Sequence, residues 1–203
     1  MKKEINLNEQ FDYIYKHDIW KGGSGDGSFA QNTVAYRRKL SQIIKQKDIK
    51  TIVDIGCGDW QIMSLVDIPE NKNYTGYDVA NFVIEKNKSQ YTKENVFFKL
   101  YDGDFSKVES ADLCIIKDVL QHLDNSRILS FIEHMSKFRY VLITNCVENR
   151  KELAHQGINQ EIQAGGWRPL DLTQYPFNLK METVLHYHGG GIKKTHLWKN
   201  PER

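Results

Sequence analysis

The stretch Val53-Asp54-Ile55-Gly56-Cys57-Gly58-Asp59-Trp60 decides how this chain is read. Residues 51–55 form a short, β-branched run that suits a buried strand, and the run stops at two glycines one residue apart. Without Cβ atoms, Gly56 and Gly58 let the backbone turn sharply and come close to a ligand. Many strand-to-helix turns carry such a pair, so its neighbours must show what it serves.

Moving outward, the same rhythm repeats. Residues 74–78 read as a second strand, followed by a helix over 80–91, and residues 96–100 read as a third. A fourth strand covers 112–116. It is followed by a helix over 125–138 with Ile128, Leu129, Ile132 and Met135 inward, and then a fifth strand over 139–144. Apolar strands alternating with amphipathic helices predict an α/β fold with a parallel sheet covered on both faces. Upstream, Asn32 is expected to cap a helix running to Gln46, with Tyr36, Leu40, Ile43 and Ile44 on one face. Before it, residues 22–28 hold four glycines, the composition of a mobile or tightly turning loop. Residues 147–178 show no clean period. Two strand-like runs, 182–188 and 192–198, flank Gly189-Gly190-Gly191 as a hairpin. The expected domain is therefore single. It comprises an N-terminal loop and helix (1–48), a strand-and-helix core (49–146), and an irregular segment with a closing hairpin (147–203).

The chain's 203 residues suffice to bury a core without disulfides or metal, and 40% hydrophobic with 27% charged residues is ordinary for a globular protein. A formal net charge of +2 gives no support to a large nucleic-acid footprint. Cys57, Cys114 and Cys146 are odd in number and form no CxxC pair, so reduced buried thiols and no metal site are expected. The basic start has no apolar stretch behind it, and no window nears the roughly 20 apolar residues of a membrane span. A cytoplasmic location, with no membrane partner, is the expectation.

Carboxylates follow the strand tips. Asp78 ends the second strand 20 residues after Gly58, where an acid, next to Val79, can accept both ribose hydroxyls of an adenosine. Capping of the next helix is the alternative, and both roles are compatible. Asp102-Gly103-Asp104-Phe105 follows the third strand: a carboxylate there can accept from an adenine amino group while Phe105 packs on the ring, although Asp-Gly-Asp also makes ordinary turns. The fourth strand delivers Lys117 and Asp118 to the same edge. Other nucleotides fit less well. GCGDWQ places glutamine where a dinucleotide fingerprint needs glycine or alanine, and no phosphate-loop motif exists.

VDIGCGDW, YTGYD, DGDF and ADLCIIKDVLQHL resemble motifs I to IV of class I S-adenosylmethionine-dependent methyltransferases, in order and at family spacing, over about residues 50–145. The resemblance implies a Rossmann-like, doubly wound, seven-stranded and mostly parallel sheet, order 3-2-1-4-5-7-6 with strand 7 antiparallel, and the cofactor S-adenosyl-L-methionine. It also implies that Asp54, Gly56, Cys57 and Gly58 line the methionine and ribose side, Asp78 the ribose, Asp104 and Phe105 the adenine, and the backbone at Lys117 the sulfonium. One departure is that the third glycine of the family's GxGxG is Trp60.

Methyl transfer to a hydroxyl needs alignment, exclusion of water and removal of a proton. Asp118 and His122 are four apart and would share a helix face. His122 is the candidate base, with Asp118 as its orienter or an acceptor ligand; structural packing of His122 is the alternative. His155 is a second candidate base, and Glu148 and Asp171 are weaker ones. His186, His188 and His196 on the hairpin suit surface or core positions better than a metal. The 19–28 segment reads as a lid whose Trp20 shields the methyl group, or else as a disordered leader. The start IW-GGSG-GS and the segment GG-RPLDL are similar to a group of small bacterial and viral methyltransferases associated with glycan synthesis. That likeness would place Tyr36, Arg37, Trp167, Arg168 and Asp171 around the pocket, Arg37 on the cofactor side, with Trp167 stacking on a sugar and Arg168 and Asp171 on its hydroxyls. The expected function is methyl transfer to a hydroxyl of a sugar or glycan. Other small molecules, nucleic acid, or a non-catalytic cofactor-binding role are the alternatives.

Overall fold

The computed structural model describes residues 6–91, 93–148 and 157–203. Seven strands form one sheet: β1 (Thr51–Ile55), β2 (Asn73–Asp78), β3 (Val96–Leu100), β4 (Ala111–Lys117), β5 (Phe138–Cys146), β6 (Glu182–His188) and β7 (Ile192–Lys199). Their order is β3-β2-β1-β4-β5-β7-β6. The first five run parallel, and β7 pairs antiparallel with both β5 and β6. This is the expected topology.

Alternate residues of the central strands feed two apolar layers, as the period-two geometry of a strand requires. Ile52, Leu113, Ile115 and Leu142 pack with Tyr36, Leu40, Ile43 and Ile44 of α2 (Val34–Gln46) and Ile84 of α3 (Asn81–Gln90). Val53, Ile55, Cys114, Ile116, Val141 and Ile143 pack on the other face with Ile128 and Phe131 of α4 (Asn125–His134) and Leu170 and Leu172. Among the described residues no helix is long and apolar enough to cross a membrane.

Several local expectations are corrected. Asn32 does not cap α2. It sits inside a 3₁₀ turn, Ala30–Thr33, and its amide donates to the Asp26 carbonyl, while Thr33 stands at the N-cap. The helix begun at Asn125 stops at His134, because a 3₁₀ turn over Met135–Lys137 feeds straight into β5. Leu129 accordingly lies outward, half exposed, and Phe131 takes the buried place. A helix that the polar start concealed, α1 (Leu7–Lys16), begins where the Asn6 side chain accepts from the Asn8 and Glu9 amides.

Candidate active site

The carboxyl ends of β1, β2 and β4 open on a cavity of 660 Å³, within the size range of cofactor and small-ligand sites. Its floor is the glycine turn. Gly56 (φ +73°) and Gly58 (φ +55°) hold left-handed backbone, and a Cβ on Gly58 would lie 2.3 Å from Ser24 Oγ and 3.0 Å from the Tyr15 hydroxyl. Trp60, at the third glycine position of the motif, also sits at φ +60°, a conformation costing roughly 1–2 kcal/mol in any residue with a Cβ. Burial offsets that cost: the indole is 2% exposed and packs edge-on against Tyr91 and Phe98. It belongs to the core and does not line the cavity.

Two buried acids face the floor. Asp78 accepts from the Gly58 amide at 3.0 Å and the Ala80 amide at 2.9 Å, one bond to each oxygen. It thus ties the turn to the start of α3 while each oxygen keeps a lone pair for a ligand. Burial raises its pKa to about 6 against the opposing pull of those amides. Asp54 accepts from the Tyr74 hydroxyl at 2.7 Å, and burial raises its pKa to about 7.

The N-terminal segment forms the roof. Ser24 Oγ donates to Asp59 at 2.8 Å and accepts from the Asp59 amide at 3.1 Å, while Gln61 bridges Asp59 and the Gly22 carbonyl. Asp18 accepts from the Gly22 and Gly23 amides. Trp20 lies against Phe11, Tyr15 and His122, the last at 5.3 Å between ring centroids. The glycine-rich stretch is therefore an ordered cover over the cavity.

The loop after β4 departs from the helical reading. Asp118 has φ +57°, and only a 3₁₀ turn, Leu120–His122, follows. Asp118 and His122 consequently do not share a helix face. His122 Nδ1 is held by the Gly166 carbonyl at 2.8 Å, and Asp118 instead takes Lys117 Nζ at 2.5 Å and Lys193 Nζ at 2.7 Å. Burial alone would raise the Asp118 pKa, but the two ammonium groups hold it at about 2. Burial pulls the Lys117 ammonium down, with Asp118 opposing.

The cavity brings together Trp20, Tyr36, Asp54, Gly56, Cys57, Gly58, Asp78, Val79, Gly103, Phe105, Lys117, Asp118, His122 and Trp167 of the sequence-predicted residues. Others lie outside it. Asp102 and Asp104 are exposed and engage Lys107, and Asp104 caps the 3₁₀ turn at Phe105 through the Ser106 amide. The cavity wall beyond β2 and β3 is instead largely apolar, made by Leu7, Phe11, Val79, Tyr101 and Phe105. Arg37 faces away, donating to Thr33 and the Ala30 carbonyl. Arg168 is fully buried and donates to the Leu123 carbonyl and Asn125 Oδ1. Asp171, equally buried, receives Lys194 and Thr173 and lies 3.4 Å from His196 Nε2. Both hold the loop together and do not reach the cavity. Glu148 accepts from the Ile192 amide, and His155 lies outside the described residues. The sequence reading missed Tyr15 and Lys193 as lining residues, and it held Ser24 only as part of the 19–28 lid. For Lys193 the available signal was a lysine at the sheet end of the predicted hairpin.

The methyltransferase domain family matches residues 53–137, from the glycine turn nearly to β5. No curated protein sequence matches the chain. Solved structures resemble its fold: the N-methyltransferase NodS from Bradyrhizobium japonicum WM9 with S-adenosyl-L-homocysteine shows a TM-score of 0.66 at 14% identity, covering 97% of this chain and 100% of that one. The DhpI–SAH complex shows 0.62 at 13% identity, covering 98% and 100%. Human N-acetylserotonin methyltransferase with SAM shows 0.59 at 16%, covering 96% of this chain and 60% of the longer human chain. Over residues 53–137 the chain is thus similar to the methyltransferase domain, and its fold resembles that of the solved methyltransferases.

Proposed function

We propose that this protein binds S-adenosyl-L-methionine in the cavity and moves its methyl group to a hydroxyl of a small acceptor, with a sugar or glycan hydroxyl as the leading candidate. The residues present fit the cofactor. Gly56 and Gly58 line the cavity with left-handed backbone where a Cβ would strike Val119 or Ser24, Asp78 keeps free lone pairs at the tip of β2, and Phe105, Val79 and Tyr101 offer an apolar slot for a purine. When bound, the cofactor supplies a methyl group on a sulfonium that is already a good leaving group.

The chain's own tasks are orientation, exclusion of water and proton removal. In this reading Asp78 accepts from the ribose hydroxyls, and Trp20 under the latched cover keeps water from the reacting centre. The observation that carries the hydroxyl assignment is the fixed imidazole of His122. Donation from Nδ1 to the Gly166 carbonyl makes Nε2 the basic nitrogen of a ring that lines the cavity, where it meets the Gln121 side-chain amide in a long contact of 3.4 Å that an acceptor hydroxyl would replace. Such a nitrogen can take an acceptor's proton, a contribution of about 10²–10⁴-fold. Trp167, also in the wall, offers a face for a sugar ring. Arg168 and Asp171 have no part in this version, being committed to the loop.

The test is mass spectrometry of sugars, sugar nucleotides and oligosaccharides incubated with the protein and S-adenosylmethionine, together with His122→Ala. Methylation of one class, with kcat lowered in the variant and S-adenosylhomocysteine affinity near wild type, is expected. Full activity of His122→Ala would remove it from the mechanism, and methylation only of amines would remove the hydroxyl assignment.

A further inference from the structure

The cavity also carries a cluster of charge that the transfer described above does not use. Lys117 at the end of β4 and Lys193 on β7 have side chains only 6% and 3% exposed, and both ammonium groups meet on Asp118. Lys117 donates in addition to the Gly27 carbonyl of the cover. Three of the two lysines' six N–H donors have no hydrogen-bond partner among the described residues. Tyr36, 1% exposed, lies with its ring 5.6 Å from Lys117 Nζ. Its hydroxyl, with Thr144 beside it, makes no hydrogen bond among the described residues.

These groups line one wall of the cavity, and the two ammonium groups share the one carboxylate they touch among the described residues, Asp118, with the Asp54 carboxyl acting on Lys117 from farther off. A buried donor without an acceptor costs about 1–3 kcal/mol, and an unbalanced buried charge costs more. An incoming acidic group would answer both deficits. Lys193 comes from β7, on the opposite side of β4 and β5 from the β1–β2 tips that hold the glycine turn and Asp78, and its ammonium meets Lys117 and Asp118 at the end of β4.

We propose that Lys117, Lys193 and Tyr36 form an anion subsite that takes an acidic group, carboxylate or phosphate, of the methyl acceptor. This rests on the cofactor reading of the same cavity, since the acceptor must lie beside the transferred methyl group. Asp118 joins the two ammonium groups and is shared between them, which suits a single further acid. The Tyr36 hydroxyl supplies a donor that the fold itself does not use.

The experiment is thermal denaturation of the protein saturated with S-adenosylhomocysteine, titrated with glucose, glucuronate, glucose 6-phosphate or inorganic phosphate. At least one of the three anions should raise the Tm where glucose does not, and which ones do identifies the acid. Lys193→Gln should weaken that anion about tenfold, the loss expected for one charge-assisted hydrogen bond. Tyr36→Phe removes only an unpartnered hydroxyl, so it should be at least as stable as wild type yet bind the anion more weakly. S-adenosylhomocysteine affinity should stay unchanged in both. Anions no better than glucose, affinities untouched by both substitutions, or anions that displace S-adenosylhomocysteine would each overturn the subsite. Displacement would assign the lysines to the cofactor's own carboxylate. Failure of wild type to bind S-adenosylhomocysteine would break the cofactor reading itself.

Discussion

Replacing Asp54 by Asn should stabilise the ligand-free protein, and the gain should grow as pH rises. Asp54 is 5% exposed, and burial lifts its pKa from 3.8 to about 7 against the hydrogen bond from Tyr74. Well below pH 3.8 the carboxyl is protonated in both folded and unfolded chains and has no effect on the balance. Between 3.8 and about 7 the unfolded chain gives up the proton that the folded chain keeps, so each rise in pH favours unfolding. Above about 7 the whole penalty is present, about 4 kcal/mol at 1.36 kcal/mol for each unit of pKa. From pH 5 to pH 8 the advantage of Asp54→Asn should therefore widen by about 2.5 kcal/mol. With an unfolding entropy of about 2.1 cal/mol/K per residue, that is roughly 6 °C in Tm for a chain of this length. Asparagine retains an oxygen for the Tyr74 hydroxyl, so the packing need not change. Groups titrating in both proteins, Asp78 and the histidines among them, largely cancel in the comparison. Scanning calorimetry at pH 5, 6, 7 and 8 measures the gap directly. A gap that stays level or narrows toward pH 8 would refute the reasoning that this carboxylate is held against its solvation.

Other expectations concern the cavity and its frame. Asp78→Ala removes the proposed ribose acceptor, and titration calorimetry should show S-adenosylhomocysteine bound about a hundredfold more weakly; undiminished affinity would discredit the assignment. Arg168→Met leaves the Leu123 carbonyl without its donor and should cost about 2–3 kcal/mol in chemical denaturation. The folded variant should keep wild-type KM for any acceptor found, and a raised KM would return Arg168 to the acceptor site. Ser24→Ala breaks the tie between cover and glycine turn, so trypsin should cut after Lys21 several times faster than in wild type. Equal cutting rates would show that Ser24 does not hold the cover down.

The central sheet was legible because its signals are local. Thr51 to Ile55 is β-branched and stops at glycines of positive φ, and the next three strands follow as short runs with Asp78, Asp102 and Asp118 at or just past their tips. Boundaries failed where two local preferences competed. Asn32 looks like a helix cap, yet a 3₁₀ turn ahead of α2 captures it, and the apolar spacing after Asn125 runs on into residues that β5 claims.

Within the site, the sequence by itself determined the floor: Gly56 and Gly58 follow β1, Asp78 ends β2 20 residues after Gly58, and neighbouring parallel strands bring those tips together. Only the tertiary structure decided the walls. Asp102 and Asp104 have the composition of an adenine ligand but reach solvent and Lys107, while Arg168 and Asp171 turn inward to satisfy buried backbone and side-chain groups. Lys193, 75 residues from Asp118, reaches it because the antiparallel pairing of β5 and β7 brings Lys193 opposite Cys146. Which way a side chain points in an irregular loop depends on donors and acceptors far away in the chain, and those meet only once the sheet has closed.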